Sequence, residues 1–373
     1  MNKLIIVGNG FDIHNGIKSQ YKDFLEWYLI ERFREAVEKG QSITTFFEVS
    51  VKHSLKYDRP YYEISDPEYM EIIRKTMFQY GDTMKFDYFV DGELMLVFNF
   101  KYFSAFFREI AYHFNDLSWV DIEMIYYQHL SNCLEKSNNL DSLNEELRVL
   151  KNRLCDYLRI ACESKKPSWN FKVCADASID TQIVLDQAHI NRIEKEYGNQ
   201  ILSNHTVQPS STMFLNFNYT GLTHQIHCEN YSTTVDIHGS LFDKKNIPIF
   251  GYGDEIGDEY IMMEKTNDNR FFEHIKSFGY FNTSNYSDLL RFLDSKLFVV
   301  NIWGHSCGLS DRTLLNEIFE HNNCCAIQPY YWNKGYGDDN YTEIAQNISR
   351  HFRNKQKLRN RLVDKTKCFP LGS

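Results

Sequence analysis

The chain has 373 residues, 43% hydrophobic, 24% charged and 15% aromatic, proportions that exclude disorder and a collagen-like repeat. Its net charge of −9 excludes a general attraction to nucleic-acid phosphates, so any such binding needs a local basic patch. The longest apolar runs, such as residues 297–300, are strand-sized and predict no membrane span.

Residues 3–7 are a short apolar run, too brief for a secretory signal and suited to a buried strand. The run stops at Gly8-Asn9-Gly10-Phe11-Asp12. A helix follows, with Ser19 as the expected N-cap and Tyr21, Phe24, Leu25, Tyr28, Leu29 and Phe33 at helical spacing. Residues 21–205 read as a mainly α-helical insertion. Phe100, Phe103, Phe107, Ile110 and Phe114 form one apolar stripe, Ile122, Ile125 and Tyr126 another, and Leu143, Leu147, Leu150, Leu154 and Leu158 a third.

From about residue 212 strand signals return, at 213–217, 235–237, 247–250, 297–303 and 324–327, with helical spacing between them. Strands alternating with helices predict an α/β fold with a doubly wound, mostly parallel sheet. Strand 3–7 needs partners from beyond 212, so residues 1–20 and 206–335 are expected to form one Rossmann-like core. Residues 336–373 read as a helical basic tail, because 350–367 carries eight Lys or Arg and one acid. That stripe reads as a solvated face or as a contact for an acidic partner or nucleic acid.

In parallel α/β sheets ligands bind where strands end. Four polar sequences fall at such ends. Gly8-Asn9-Gly10-Phe11-Asp12 suits close approach of backbone to a phosphate, although a tight turn also explains it, and Asp12 equally suits a helix cap. Asn216-Phe217-Asn218-Tyr219-Thr220 offers Asn218 and Tyr219 to a ribose or base, or serves as turn chemistry. His238-Gly239-Ser240 offers a neutral-pH base, or a satisfied core histidine. Gly304-His305-Ser306, with Asp311 ahead of a helix, closes the strongest strand. His224 and His227 lack completing ligands, so no metal is expected. Nine cysteines without a Cys-x-x-Cys read as reduced thiols in a cytoplasmic protein.

These motifs, with Trp119-x-Asp121-x-Glu123, Ile237-His238-Gly239 and Phe250-Gly251-Tyr252-Gly253, resemble the AbiH family of bacterial abortive-infection proteins, in order from residue 4 to about 330. The resemblance implies a role in phage defence with a phage-derived trigger. A more distant resemblance is to sirtuin-like NAD-binding domains, through Gly8, Gly10, Gly16-Ile17, Asn218, His238-Gly239 and Gly304-x-Ser306. It implies that Gly8, Asn9, Gly10, Phe11, Tyr219, Gly239, Gly304, His305, Ser306 and Asp311 bind NAD or a related nucleotide. Asn218 would hold ribose or water, His238 would act as base, and Asp12 would bind the ribose or stabilise positive charge. Asp12, Asn9, Thr220 and Lys18 depart from the sirtuin pattern, and no paired Cys-x-x-Cys is present, which disfavours deacetylation. The expected chemistry is hydrolysis of the nicotinamide N-glycosidic bond. The alternatives are a nucleotide-binding module without chemistry and, behind it, a nucleic-acid-targeting toxin. Self-association stays open.

Overall fold

A computed structural model describes residues 1–53, 64–77, 81–114, 119–134, 139–163, 165–228, 231–253, 255 and 257–373, without the side chains of 119–120 and 199–204. The chain divides into two compact units, one of Met1–Ser19 with Leu158–Ser373 and the other of Gln20–Tyr157. The first begins with strand β1 (Asn2–Val7) and the short helix α1 (Asn9–His14).

The second unit contains α2 (Tyr21–Lys39), β2 (Gln41–Ile43), β3 (Phe47–His53), α3 (Asp66–Met77), β4 (Thr83–Val90), β5 (Glu93–Tyr102), α4 (Ala105–Tyr112) and α5 (Trp119–Asn132). Helix α6 (Leu140–Ala161) follows. The expected apolar face of α2 is buried throughout, and Gln20 rather than Ser19 caps it, in a reciprocal capping box with Asp23. The strands pair antiparallel in the order β2-β3-β5-β4. The unit is therefore not mainly helical as the sequence suggested. Phe100 and Phe103 were read into a helical stripe, yet Phe100 lies in β5 and α4 starts only at Ala105. Two strands of alternating Phe and polar residues next to a helix rich in Phe gave a mixed period, and the helical component was read through it. Aromatic rings fill the space between sheet and helices. Phe33 stacks on Phe98 and Phe100, and Phe46 stacks on Phe107 with centroids 4.5 Å apart.

The chain re-enters the first unit at Leu158, well before 205, because α7 (Trp169–Asp176) packs there: its Phe171 and Ala175 share a core with Ile5 and Val7 of β1. A two-residue pair, β6 (Ile179–Asp180) and β7 (Thr206–Val207), flanks α8 (Gln187–Asn204). Then come β8 (Thr212–Asn216), β9 (Ser232–Asp236), α9 (Asp258–Lys265), α10 (Lys276–Tyr280), α11 (Asn285–Ser295), β10 (Phe298–Trp303), α12 (Arg312–Glu320) and β11 (Cys324–Tyr330). Residues 247–250, expected as a strand, are irregular backbone.

Five strands form one wholly parallel sheet in the order β11-β10-β1-β8-β9. Its central strand is buried on both faces. Leu4 and Ile6 pack with α11, α12 and α13 (Tyr341–Arg350), while Ile5 and Val7 face Phe171, Phe214 and Trp303. Successive strands step outward from β1 to β8 and β9, and the chain then crosses to β10 and β11. The order reverses between β1 and β10, the point at which open α/β sheets leave a crevice.

The C-terminal segment is part of this unit, not a separate tail. Helix α14 (Lys355–Arg361) brings buried Arg361, which donates to the Phe319 carbonyl at 2.6 Å, and Lys357 donates to Glu320 O at 2.7 Å. Both cap the carbonyl end of α12. Lys365 pairs with Asp339 and Lys367 donates to Gln182 O, so much of the basic stripe is spent on internal contacts. Among the described residues no helix is long and apolar enough to cross a membrane. All nine cysteines are free; Cys324 and Cys325 are buried in the cores on opposite faces of β11.

Candidate functional site

The carboxyl ends of β1, β8, β9 and β10 deliver Gly8, Asn218, His238 and Gly304 to one edge of the sheet. The turns after β1 and β10 touch each other. Gly8 N donates to Trp303 O at 3.0 Å and Gly10 N to Gly304 O at 2.8 Å. Gly304 has φ +66°, and a Cβ there would lie 2.3 Å from the Phe11 nitrogen. Only glycine satisfies both the left-handed backbone and that contact.

Asp12 lies inside α1, whose N-cap is Gly8, so its carboxylate caps nothing. It is buried instead. Oδ2 accepts a hydrogen bond from Thr220 Oγ1 at 2.9 Å, and Oδ1 has no partner. Burial raises its pKa to about 7, although Thr220 and Asn218 hydrogen bonds pull the other way. Asn218 Nδ2 donates to Gly8 O at 3.0 Å, tying the end of β8 to the glycine turn. Asn216 Nδ2 donates to Asp236 Oδ1 at 2.7 Å, and His224 Nε2 lies 2.7 Å from the other oxygen of Asp236.

A second group of buried polar side chains surrounds Asp311. Its Oδ1 lies 2.8 Å from Lys276 Nζ and 3.2 Å from His238 Nε2; Oδ2 lies 3.6 Å from His305 Nε2. His238 Nε2 is also 3.2 Å from the Tyr280 hydroxyl. Asp311 occupies the N-cap position of α12, yet its side chain makes no capping bond because these partners hold it. His305 Nδ1 accepts from the Cys307 amide at 3.0 Å, so the neutral ring carries its proton on Nε2, toward Asp311. Phe217 packs edge-on against both imidazoles, with centroids 4.8 Å from His238 and 4.3 Å from His305.

Charge in this group is segregated. Burial alone would raise the Asp311 carboxyl, but Lys276 and His238 outweigh it and hold it far below the ordinary range. Burial and the Lys276 charge lower His238. Burial lowers His305 to about 4, against the pull of Asp311. The group is thus a Lys276–Asp311 ion pair beside two histidines whose charged forms burial disfavours.

The other expected site residues divide. Gly239 follows His238 directly, and Tyr219 donates to Ile249 O at 2.7 Å. Asn9 bonds to Ser19 through both side-chain atoms. Phe11 and Trp303 are wholly buried and pack with Phe171 in the core beneath the edge. Ser306 is exposed, and its carbonyl accepts from Asn347. Asp121 and Glu123 lie in the first turns of α5, in the other unit. Sequence reasoning did not reach Lys276 and Tyr280. Their only trace was Phe250-Gly251-Tyr252-Gly253, whose Tyr252 bridges to Ile275. The second unit holds two cavities of about 440 and 420 Å³ that share Ala105 and His129, with His129 Nε2 2.9 Å from Glu109.

A wholly parallel α/β core thus gathers buried acid, base and cation groups on its carboxyl edge. The family model described as bacteriophage abortive infection AbiH matches residues 4–331, and the chain belongs to the AbiH family. Its family role is thus in abortive infection by bacteriophage. Searches of curated proteins and of solved structures gave no match.

Proposed function

We propose that the protein defends against phage by taking NAD or a related nucleotide in a Rossmann-like, sirtuin-like crevice at this edge and hydrolysing its nicotinamide–ribose bond. The observation that supports it is the unpartnered Oδ1 of Asp12, a buried carboxylate oxygen at the reversal of strand order whose group titrates at about 7. A carboxyl poised there suits general acid–base work at neutral pH. In this reading Asp12, rather than His238, takes the proton.

In the reaction the C1′–N bond breaks and its electron pair leaves with nicotinamide. A water oxygen bonds to C1′, and the water proton passes to Asp12 Oδ1. Thr220 and Asn218 fix the carboxylate and the turn it faces. His238 and His305, whose charged forms burial disfavours, and Phe217 packed edge-on against both give a wall that does not repel positive charge developing on the ribose.

The second reading is a nucleotide held without turnover. In its favour, the Gly8 and Gly10 amides are spent on Trp303 and Gly304 carbonyls, so a phosphate reaches them only when the turns part.

The test is purified full-length protein with NAD, alone and with infected-cell lysate, followed by chromatography of nicotinamide and by calorimetric binding. The expected result is release that Asp12→Asn reduces about 100-fold or more. Binding without release selects the second reading, and neither binding nor release overturns the proposal.

A further inference from the structure

We propose that Lys276 is a positioning residue of the carboxyl-edge site: its ammonium clamps Asp311 and so sets the electrostatic field in which His238 and His305 sit. The inference deepens the reading of that edge as a ligand site, and its readout below does not require NAD.

The first support is where the lysine lies and how it is brought there. Lys276 is 1% exposed, a burial that an ammonium tolerates only when paired. Its Nζ is 2.8 Å from Asp311 Oδ1 and 3.5 Å from Ser310 Oγ. It arrives on a strap in which Tyr252 N donates to His274 O at 3.1 Å and Lys276 N to Tyr252 O at 2.9 Å. The strap runs against the start of α12, where a Cβ on Gly253 would come within 2.6 Å of the Ser310 carbonyl. The glycine is thus needed for the approach that brings Lys276 to Asp311.

The second support is the charge arithmetic around the histidines. Among the described residues, His238 is faced by Asp311, Lys276, His305, the Tyr280 hydroxyl and the Phe217 carbonyl, and His305 by Asp311, His238, Lys276 and His351, with the Cys307 amide on its Nδ1. Of these described groups Asp311 is the carboxylate. Alone, it would favour imidazolium on either ring. The ammonium on its Oδ1 cancels most of that field, and burial then disfavours charge on both rings. Lys276→Met therefore leaves Asp311 to draw a proton onto a ring, whereas a lysine that only fills space leaves the rings unchanged.

The experiment follows 15N-labelled histidine side chains of the full-length protein by NMR between about pH 5.5 and 8, a window spanning the ordinary imidazole range. In the wild type and in Lys276→Arg, His305 shows the neutral pattern throughout and His238 titrates below the ordinary imidazole value. In Lys276→Met at least one of them protonates within the window, its midpoint raised by about 1 pH unit or more. Two rings that titrate in Lys276→Met as they do in the wild type overturn the proposal. Should that variant not fold, Lys276→Gln, which keeps a polar side chain but no charge, takes its place with the same two outcomes. Failure of NAD turnover with these titrations as expected discards the hydrolase reading and leaves the clamp standing.

Discussion

Thr220 Oγ1 donates to Asp12 Oδ2 at 2.9 Å, while the other oxygen of the same buried carboxylate bonds to nothing. One oxygen is thus fixed and the other buried without a hydrogen-bond partner. The donor comes from the loop after β8 and the carboxylate from the helix after β1, so the pair also joins two strand ends.

The Asp12 carboxyl is raised from 3.8 to about 7, so the folded protein holds its proton over a range where the unfolded chain has lost it. Between those values stability falls as pH rises, and above about 7 the loss is complete. Asp12→Asn removes that loss. Thermal melts should show variant and wild type closest near pH 4 and the variant gaining toward pH 8, by at most about 4 kcal/mol. A gap that does not widen with pH would contradict the buried, proton-holding carboxyl.

His224 behaves oppositely. A hydrogen bond to Asp236 raises its pKa above 6.5, against partial burial. The stabilisation is full below 6.5 and lost as pH rises through the folded value. His224→Gln should lower the melting temperature at pH 6 and scarcely at pH 9.

Gly304→Ala combines φ +66° with a methyl 2.3 Å from the Phe11 nitrogen. A left-handed alanine alone costs about 1 kcal/mol or more, and the contact forces the two turns apart. Denaturant titration should show a loss of about 3 kcal/mol or more.

Truncation after residue 349 removes the Arg361 and Lys357 caps on α12, buried Phe352 and Val363, and the Val363 N–Ile327 O bond beside β11. The truncated protein should be insoluble or melt far below the wild type. Arg353→Ala and Arg359→Ala lie on the surface and should change stability by less than about 0.5 kcal/mol. Nucleic-acid retention by the basic stripe is therefore tested with those substitutions.

The parallel sheet was legible because β1, β8 and β10 are short apolar runs ending in Gly or Asn turns and β11 opens on another apolar run, and two-sided burial removes the polar alternation. The antiparallel sheet of the second unit was not. In β5 (Glu93–Tyr102) the buried residues Leu96, Phe98, Phe100 and Tyr102 alternate, but that period continues into the Phe-rich α4 without a break. The edge residues at strand ends were read from local motifs. Lys276 was not, because a lone lysine between His274-Ile275 and Ser277-Phe278 carries no local sign of burial. Its place is set by a strap contact with Tyr252, 24 residues away, and by Asp311 from another element. Asp12 was read as a cap or a ligand contact; its isolation inside the fold depends on Thr220, which only the strand order brings near.

Strand β1 is made first, yet its neighbours come late: Ile5 pairs with Phe214 on one side and with Asn301 on the other. During synthesis the central strand has no permanent partner until β8, ending at Asn216, has emerged, and no second one until β10, ending at Trp303; at about 5–20 residues per second the first wait alone takes tens of seconds. In that interval the second unit, formed by Gln20–Tyr157, has its entire sequence available to fold. An apolar strand left unpaired for so long is an aggregation risk, and pairing so distant in sequence is slow. The protein should therefore refold slowly after dilution from denaturant and depend on chaperones in the cell, and its output should be limited by folding of the sheet rather than by the rate of translation.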